Sequence, residues 1–159
     1  VQVSGSYGAT KFLMEKLFNQ FEEMNPKVKY RVVRLGNVIY SVDSVLYRWK
    51  NLIKNCEEVV ITDKRATRFF MTSEKSVDLI INCLENAKDS KPYFESMKST
   101  SIGNLLQAMI NKYAPQDCKL PIKTIGLHSS ENLHEKISEN GICTNEIEQY
   151  TIKELEEMI

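Results

Sequence analysis

The sequence predicts an α/β fold in which helices and short strands alternate along the chain. Three observations support this prediction. An amphipathic helix is expected up to about Met24, a valine-rich strand follows at 28–35, and a second amphipathic helix begins at Ser44. Elements that alternate in this way pack as layers around a shared core. The chain has 159 residues, which is enough for one such unit.

The first helix is predicted from apolar residues that recur every three or four positions: Phe12, Leu13, Leu17, Phe18 and Phe21. Either Ser6 or Thr10 is expected to cap its start, and Asn25-Pro26 is expected to end it. The next segment is rich in Val and alternates in polarity, which is typical of a strand. Gly36-Asn37 is expected to break that strand at its C-terminal edge.

The alternation continues to the end of the chain. Further short strands are predicted at 59–62, 68–72 and 122–125, and around Tyr93 and Phe94. Thr72 and Ser101 precede periodic apolar segments and are expected to begin helices. The apolar stripe after Thr72 consists of Val77, Ile80, Ile81 and Leu84. A short acidic helix is expected at 152–159, and no domain boundary is placed within the chain. The early helix–strand–helix order is typical of the last turns of a Rossmann-type parallel sheet.

Charge and hydropathy exclude several classes of partner. Lys plus Arg equals Asp plus Glu, 21 each, so there is no electrostatic basis for binding nucleic acid or an anionic membrane. The apolar runs are too short to cross a bilayer, and the first residues do not show the basic, apolar and small-residue pattern of a signal peptide. The first residue is Val1 rather than Met, which we interpret as the sign of a piece of a longer chain.

Four cysteines stand apart from one another, at Cys56, Cys83, Cys118 and Cys143. No Cys-x-x-Cys pair is present, so no metal site is predicted. Scattered cysteines in a chain of this length are expected to be reduced, which predicts a cytoplasmic location. A disulfide framework is the less favoured alternative, because a chain of this length does not need one for stability.

Tyr7 and Lys11 form a Tyr-x-x-x-Lys arrangement at the start of the first helix. Residues four apart share a helical face. A lysine ammonium beside a phenol stabilises the phenolate, which lets a tyrosine act as a base or an acid near neutral pH. The pair is therefore a candidate for catalysis, with a solvated tyrosine near a chain end as the alternative interpretation.

The order of later segments adds to this pattern. The strand ends in Arg34-Leu35-Gly36-Asn37-Val38, a second block reads Ile61-Thr62-Asp63-Lys64-Arg65-Ala66-Thr67-Arg68-Phe69, and a late block reads Glu131-Asn132-Leu133-His134-Glu135. From residue 4 to about residue 140 the chain resembles the extended short-chain dehydrogenase/reductase superfamily. Within it, the chain is most similar to the inverting UDP-N-acetylglucosamine 4,6-dehydratases of polysaccharide biosynthesis. The resemblance implies the end of a Rossmann-type sheet followed by the small C-terminal substrate-binding lobe.

The resemblance implies a reaction and assigns residues to it. Tyr7 matches the tyrosine that takes a proton from the sugar 4-hydroxyl, while NADP (or NAD) receives the hydride from carbon 4. Lys11 matches the lysine that binds the nicotinamide ribose and tunes the tyrosine. Asn37 matches the asparagine that lies on the substrate. Asn37 as an ordinary turn residue, and Arg34 as an ordinary ion-pair partner, are the alternative interpretations.

The remaining assignments concern the nucleotide. Arg65 and Arg68 match arginines near the diphosphate, and guanidinium groups suit a diphosphate through bidentate contacts. Glu131 matches the glutamate of the late block and is assigned to the substrate site. The alternatives are that both arginines lie on a solvated face and that His134 is a packed or capping residue. A UDP-sugar is thus the implied partner, and a homo-oligomer is left open.

The chain departs from the family in three respects. It lacks the glycine-rich dinucleotide fingerprint, so the dinucleotide-binding part is expected to be absent and this chain alone is expected not to bind NADP. It also lacks the Asp-Lys pair that precedes the tyrosine and eliminates water. Thirdly, the family's Gly-Ser-Arg-Gly-Ser-Val and Arg-Pro-Gly-Glu-Lys are replaced by residues 40–45 and 128–132, with loss of two arginines and a lysine.

The sequence therefore predicts the C-terminal part, residues 1–159, of a nucleotide-sugar 4,6-dehydratase that is inactive as this chain alone. One rival is a nucleotide-sugar 4-epimerase, which shares the Tyr and Lys but not the elimination pair. The other rival is a non-catalytic nucleotide-sugar binding module, which the lost phosphate-facing residues favour.

Overall fold

The protein is described by a computed structural model that covers residues 5–42, 44–138 and 140–159. Ser4 and Asp43, on which parts of the predicted resemblance fall, lie outside these ranges. The predicted α/β class is confirmed. The helices are α1 Ser6–Met24, α2 Val45–Lys54, α3 Ser73–Asn86, α4 Ile102–Tyr113 and α5 Ile152–Met158. The strands are β1 Val32–Val33, β2 Asn37–Val38, β3 Val59–Ile61, β4 Thr67–Met71, β5 Pro92–Tyr93, β6 Ser99–Ser101 and β7 Ile122–Thr124.

Within the described ranges, the strands form three small sheets that are mostly parallel. β1 pairs with β5, and β3 pairs with β7, both in parallel. The central sheet has the order β2-β4-β6, in which β2 is parallel to β4 and β6 is antiparallel to it. Parallel neighbours need a crossover connection, and the helices between these strands provide it. Every residue of β4 is buried, so this strand lies at the centre of the fold.

The main core lies where α2 and α4 pack on each other and on the strands. Its largest fully buried side chains include those of α2, α4, α5 and β3: Leu46, Ile53, Leu105, Met109, Leu155 and Val59. These residues come from segments more than a hundred positions apart. A continuous core of this kind holds the C-terminal helix α5 against α4, and it supports the strands that carry the polar residues described below.

Two helices expose much of their apolar surface. No residue of α1 is buried, and its exposed large side chains include Leu13, Met14, Leu17, Phe21 and Met24. α3 buries Ser76, Leu79 and Cys83 instead of the predicted stripe, whose four residues are exposed. The buried face contacts β1, where the Cys83 thiol lies 3.8 Å from the Val32 carbonyl oxygen. Both faces of α3 carry apolar residues, so periodicity identified the helix without identifying its buried side. Among the described residues, none of the helices combines the length and apolarity that a bilayer span requires.

Helix starts were predicted better than strand ends. Thr72 and Ser101 are N-caps, and their side chains accept hydrogen bonds from Lys75 N and Asn104 N. At α1 the N-cap is Gly5, so the predicted caps Ser6 and Thr10 were wrong. The strand predicted at 28–35 is reduced to β1, because only two of its residues pair with β5. Asn37, expected to break a strand, begins β2.

The structure corrects the prediction that all four cysteines are reduced. Cys56 and Cys118 form a disulfide across a sequence separation of 62 residues. Cys56 follows α2 and precedes β3, and Cys118 follows α4 and precedes β7. Because α2 packs on α4 and β3 pairs with β7, the two cysteines meet. Cys83 and Cys143 are free.

Candidate functional site

Arg68 lies on β4 with its side chain 10% exposed. Its Nη2 donates to Glu131 Oε1 at 3.1 Å, and its Nε lies 3.2 Å from Glu135 Oε1. Its Nη1 donates to two carbonyl oxygens, those of Thr67 at 2.9 Å and Leu133 at 3.2 Å. The guanidinium thus contacts four oxygen atoms and is largely buried, so the interpretation of Arg68 as a solvated surface residue is wrong.

The two carboxylates at Arg68 differ in their surroundings. Glu131 Oε1 also accepts a hydrogen bond from Thr62 Oγ1 at 3.1 Å. Its Oε2 is buried and has no hydrogen-bond partner in the described part of the chain. Burial raises the pKa of Glu135, Arg68 partly offsets that shift, and the nearby charge of Glu131 adds to it. Two carboxylates on one guanidinium leave a local excess of negative charge.

Arg65 lies on the turn that precedes β4. Its guanidinium donates to both oxygens of Asp63, at 3.1 and 2.7 Å, while 72% of its side chain is exposed. The hydrogen bonds from the side chain and backbone of Arg65 lower the pKa of Asp63 to about 2. Asp63 is therefore ionised at neutral pH, and Arg65 presents the rest of its guanidinium to solvent.

Arg68, Glu131 and Glu135 together form what we call the Arg68 cluster. Asn37 is connected to this cluster through the backbone of β4. Its side-chain Nδ2 donates to the carbonyl oxygen of Phe69 at 3.0 Å, one residue after Arg68. Asn37 itself pairs in register with Phe70. Its side chain is exposed, and the amide oxygen is the acceptor that remains after the contact with Phe69.

Tyr7 and Lys11 share one face of α1, as their spacing predicts. Lys11 Nζ lies 5.4 Å from the centre of the Tyr7 ring. Tyr7 is 75% exposed, and Lys11 is also exposed. The start of this helix is close to the late block, because a Cβ placed on Gly5 would come within 3.1 Å of Ser130 Cβ. The structure thus brings the first turn of α1 next to the residue that precedes Glu131.

Arg34 makes a second connection between α1 and the late block. It binds Glu15 of α1 through two hydrogen bonds, and its Nη1 donates to Ile137 O at 2.7 Å. The interpretation of Arg34 as an ion-pair partner is therefore confirmed. A cavity of about 300 Å³ lies beside this contact, with Phe12, Lys16 and Asn140 among its lining residues. Neither Tyr7 nor Lys11 lines it.

Hydrogen bonds between polar side chains connect β4 to the C-terminal segment, starting at Thr67, the residue before Arg68. Thr67 Oγ1 lies 2.7 Å from His134 Nδ1 and 2.5 Å from Thr144 Oγ1. The Oγ of Ser99 donates to the Thr144 carbonyl oxygen. His134 is half-buried and hydrogen-bonded to Thr67, which agrees with its interpretation as a packed or capping residue. The roles of Thr67 and Thr144 had no signal in the sequence, because their pairing spans 77 positions.

Comparison with known proteins gives a consistent picture. The sequence profile of a family described as polysaccharide biosynthesis protein matches residues 1–156. An inverting UDP-N-acetylglucosamine 4,6-dehydratase of Campylobacter jejuni is 34% identical over 149 residues, 91% of this chain and 42% of that protein. A UDP-glucose 4-epimerase of Rickettsia bellii is 31% identical over 132 residues, 82% of this chain and 38% of that protein.

A solved structure supports the fold. The protein Pen from Bacillus thuringiensis superposes with a TM-score of 0.87 and 22% identity, over 100% of this chain and 57% of that one. The chain therefore spans about two-fifths of the length of the curated relatives above and rather more than half of this structural neighbour. The similarity therefore concerns only part of each of these proteins.

Proposed function

The chain belongs to the polysaccharide biosynthesis protein family, and from that premise we propose that it forms the C-terminal part, residues 1–159, of a nucleotide-sugar 4,6-dehydratase. The proposed substrate of the complete protein is a UDP-sugar of the UDP-N-acetylglucosamine type. One observation carries the proposal. Arg68 and Glu131, two residues assigned to the substrate by resemblance and 63 positions apart, are in direct contact at 3.1 Å.

The proposed proton transfer uses the exposed end of α1. Tyr7 takes the proton from the sugar 4-hydroxyl, and the ammonium of Lys11 on the same helical face stabilises the phenolate. A nicotinamide cofactor, NADP or NAD, would accept the hydride from carbon 4 when bound. The exposed Lys11 suits a donor to the hydroxyls of such a cofactor's ribose. Both side chains are accessible from solvent, which fits a ligand on this side.

The proposed nucleotide wall is built from the ends of β2 and β4. Arg68 and Arg65 supply positive charge for the diphosphate, while Asn37 offers an amide oxygen on the same sheet. Glu131 orients Arg68, and its buried Oε2, which has no hydrogen-bond partner within the described residues, is the acceptor that we assign to a sugar or ribose hydroxyl. The contact of Gly5 with Ser130 supports a single site, because it joins the Tyr7 turn to this wall.

This chain alone is proposed to be inactive. It carries no glycine-rich fingerprint, and the Asp-Lys pair expected before the tyrosine is not among its residues. The exposed apolar face of α1 is suited to packing against a dinucleotide-binding part. A cytoplasmic location belongs to the same proposal and now depends on the free Cys83 and Cys143, because the Cys56–Cys118 disulfide is more typical of oxidising compartments.

A 4-epimerase is the second candidate, and the relative from Rickettsia bellii favours it. A binding module is the third, because both carboxylates at Arg68 oppose an incoming diphosphate. The test is to incubate the complete protein and its Tyr7→Phe variant with UDP-N-acetylglucosamine and to follow the sugar by NMR. A 4-keto product that has lost its 6-hydroxyl, formed only by the unmodified protein, is expected. A 4-epimer would establish the epimerase, and unchanged sugar would favour the binding module.

A further inference from the structure

We propose that Glu135 is a displaceable counter-ion of Arg68, which holds the guanidinium in its binding position until a nucleotide phosphate replaces the carboxylate. This proposal rests on the proposed function, since it takes the ligand to be a nucleoside diphosphate. It assigns Glu135, which neither the sequence motifs nor the resemblance placed in the site, to the control of affinity at Arg68.

The donors of Arg68 leave little room for an added ligand. Nη1 donates to two backbone carbonyl oxygens and Nη2 donates to Glu131, while Nε forms an ion pair with Glu135 Oε1 at 3.2 Å. With its side chain 10% exposed, the guanidinium is also covered on most sides. Of the five N–H groups of the guanidinium, the one on Nε faces Glu135, so a phosphate oxygen that binds at Nε must take the place of that carboxylate. The carbonyl acceptors belong to β4 and to the late block, so they cannot leave without unfolding those segments.

The two carboxylates are held unequally. Glu131 Oε1 is shared between Arg68 and Thr62, and this side chain is 28% exposed. The Glu135 side chain is 38% exposed and reaches Arg68 through a single oxygen at 3.2 Å. Burial also raises the pKa of Glu135, which shows that its ionised form is less well solvated here than in water. Glu135 is therefore the acceptor that leaves at lower cost.

Displacement of Glu135 needs no movement of the backbone. Its N–H donates to Thr144 Oγ1 at 2.9 Å, and its carbonyl oxygen accepts from Thr144 N at 2.9 Å. These bonds fix the main chain on both sides of Cα, while 38% of the side chain is exposed. Rotation about the side-chain bonds is enough to uncover Nε. A phosphate oxygen could then accept a charge-assisted hydrogen bond from Nε, which is now paired with the carboxylate as an ion pair.

The proposal predicts opposite effects for the two glutamates. Glu135→Gln keeps the shape of the side chain but removes the charge that opposes a diphosphate, so UDP should bind more tightly. Glu131→Gln removes a charge that positions Arg68, so UDP should bind less tightly. A purely structural role for Glu135 would instead weaken binding when the ion pair is lost.

The experiment is calorimetric titration of the 159-residue chain with UDP and, separately, with uridine, which has no phosphate. The forms compared are the unmodified chain, Glu135→Gln, Glu131→Gln and the matched control Glu157→Gln, which changes an exposed carboxylate on α5. Circular dichroism verifies that each form is folded. We expect UDP to bind Glu135→Gln on the order of tenfold more tightly, since removal of one nearby like charge is worth about that factor. Uridine binding and the Glu157→Gln titration should not change.

Two results would overturn the proposal, and they are distinguishable. If UDP binds the unmodified chain and Glu135→Gln equally, or binds the variant less tightly, Glu135 is not a displaceable counter-ion, while the proposed nucleotide site survives. If UDP binds no folded form at millimolar concentration, the nucleotide site itself is wrong, and the role of Glu135 is wrong with it. Chemical shifts of the Arg68 Nε–H provide a second measurement. They should move on addition of UDP and in Glu135→Gln, but not on addition of uridine.

Discussion

Arg34 donates two hydrogen bonds to the carboxylate of Glu15, from Nε at 2.8 Å and from Nη2 at 2.7 Å. Its third contact, to Ile137 O, reaches across 103 positions of sequence. A single guanidinium therefore joins α1, which carries Tyr7 and Lys11, to the segment that follows Glu135. The relative position of the proposed catalytic helix and the proposed nucleotide wall depends in part on this residue.

Replacing Arg34 by Ala should lower the free energy of unfolding by about 3 kcal/mol, because it leaves the partly buried Glu15 carboxylate, 18% exposed, without its partner. Urea denaturation followed by circular dichroism measures the change. The control is Arg48→Ala, which removes an exposed arginine from α2 and should change stability by less than about 0.5 kcal/mol. Equal losses in the two variants would show that the Arg34 contacts do not stabilise the fold.

The two arginines of the second block should respond very differently to truncation. Arg68→Ala leaves two carboxylates facing each other in a partly buried site, so we expect a loss of about 3 kcal/mol. Arg65→Ala breaks a pair whose arginine is mostly exposed and should cost no more than about 1 kcal/mol. Chemical denaturation of both variants tests the contrast. A stable Arg68→Ala chain would mean that the Arg68 cluster has no structural role.

Glu135 should make stability depend on pH. Its pKa is raised in the folded chain, so the folded state binds this proton more tightly than the unfolded state does. Its contribution is therefore favourable below the ordinary carboxyl pKa and is lost as pH rises through the raised value. The free energy of unfolding, measured from about pH 4 to about pH 7, should fall less steeply with pH in Glu135→Gln than in the unmodified chain. Parallel curves would contradict this assignment.

Loss of the Cys56–Cys118 disulfide should destabilise the chain markedly. A crosslink over 62 residues removes chain entropy worth about 4 kcal/mol in the unfolded state. The strand β7 should loosen first, because all three of its residues are exposed and it is held to the fold by its pairing with β3. Hydrogen exchange of the Ile125 and Gly126 amides, compared between Cys118→Ser and the control Cys143→Ser, measures this. Unchanged protection in Cys118→Ser would show that the β3–β7 pairing is sufficient alone.

The chain alone should bind NADP no more tightly than about millimolar, a level at which binding is worth only ~4 kcal/mol. The reason is the absence of the glycine-rich fingerprint, without which no helix N-terminus is prepared for the pyrophosphate. Calorimetric titration with NADP is the measurement, with UDP as the comparison ligand. A micromolar dissociation constant for NADP would contradict the view that the dinucleotide-binding part lies outside this chain.

Local chemistry made much of the fold predictable. Thr72 and Ser101 could be identified as helix starts because a hydroxyl before an apolar run satisfies free backbone N–H groups. β6 at Ser99–Ser101 could not be identified in the same way. Its polar residues have no strand pattern, and the strand exists because it pairs with β4. Tertiary contacts of this kind leave no mark in the local sequence.

The candidate site shows the same difference between what the sequence indicates and what depends on tertiary contacts. Arg68 and Glu131 were assigned to one site by the resemblance to the family, and the structure places them in contact. Glu135 belongs to the late block but received no role from the sequence, because its approach to Arg68 depends on how the chain turns after Leu133. The Cys56–Cys118 pairing was likewise hidden, since it follows from the packing of α2 on α4 rather than from any spacing.

The exposed leucines, methionines and phenylalanine on the outer face of α1 also determine how this chain behaves in a test tube. Its formal net charge at pH 7 is zero, and its isoelectric point is about 6.9, so long-range repulsion between molecules is minimal near neutrality. An uncovered apolar helix on an uncharged particle favours precipitation at high concentration. Light scattering should therefore rise most steeply with concentration close to pH 7. Moving the buffer a unit or two to either side, or placing a lysine or glutamate at Leu13 or Met24, should keep the chain dispersed.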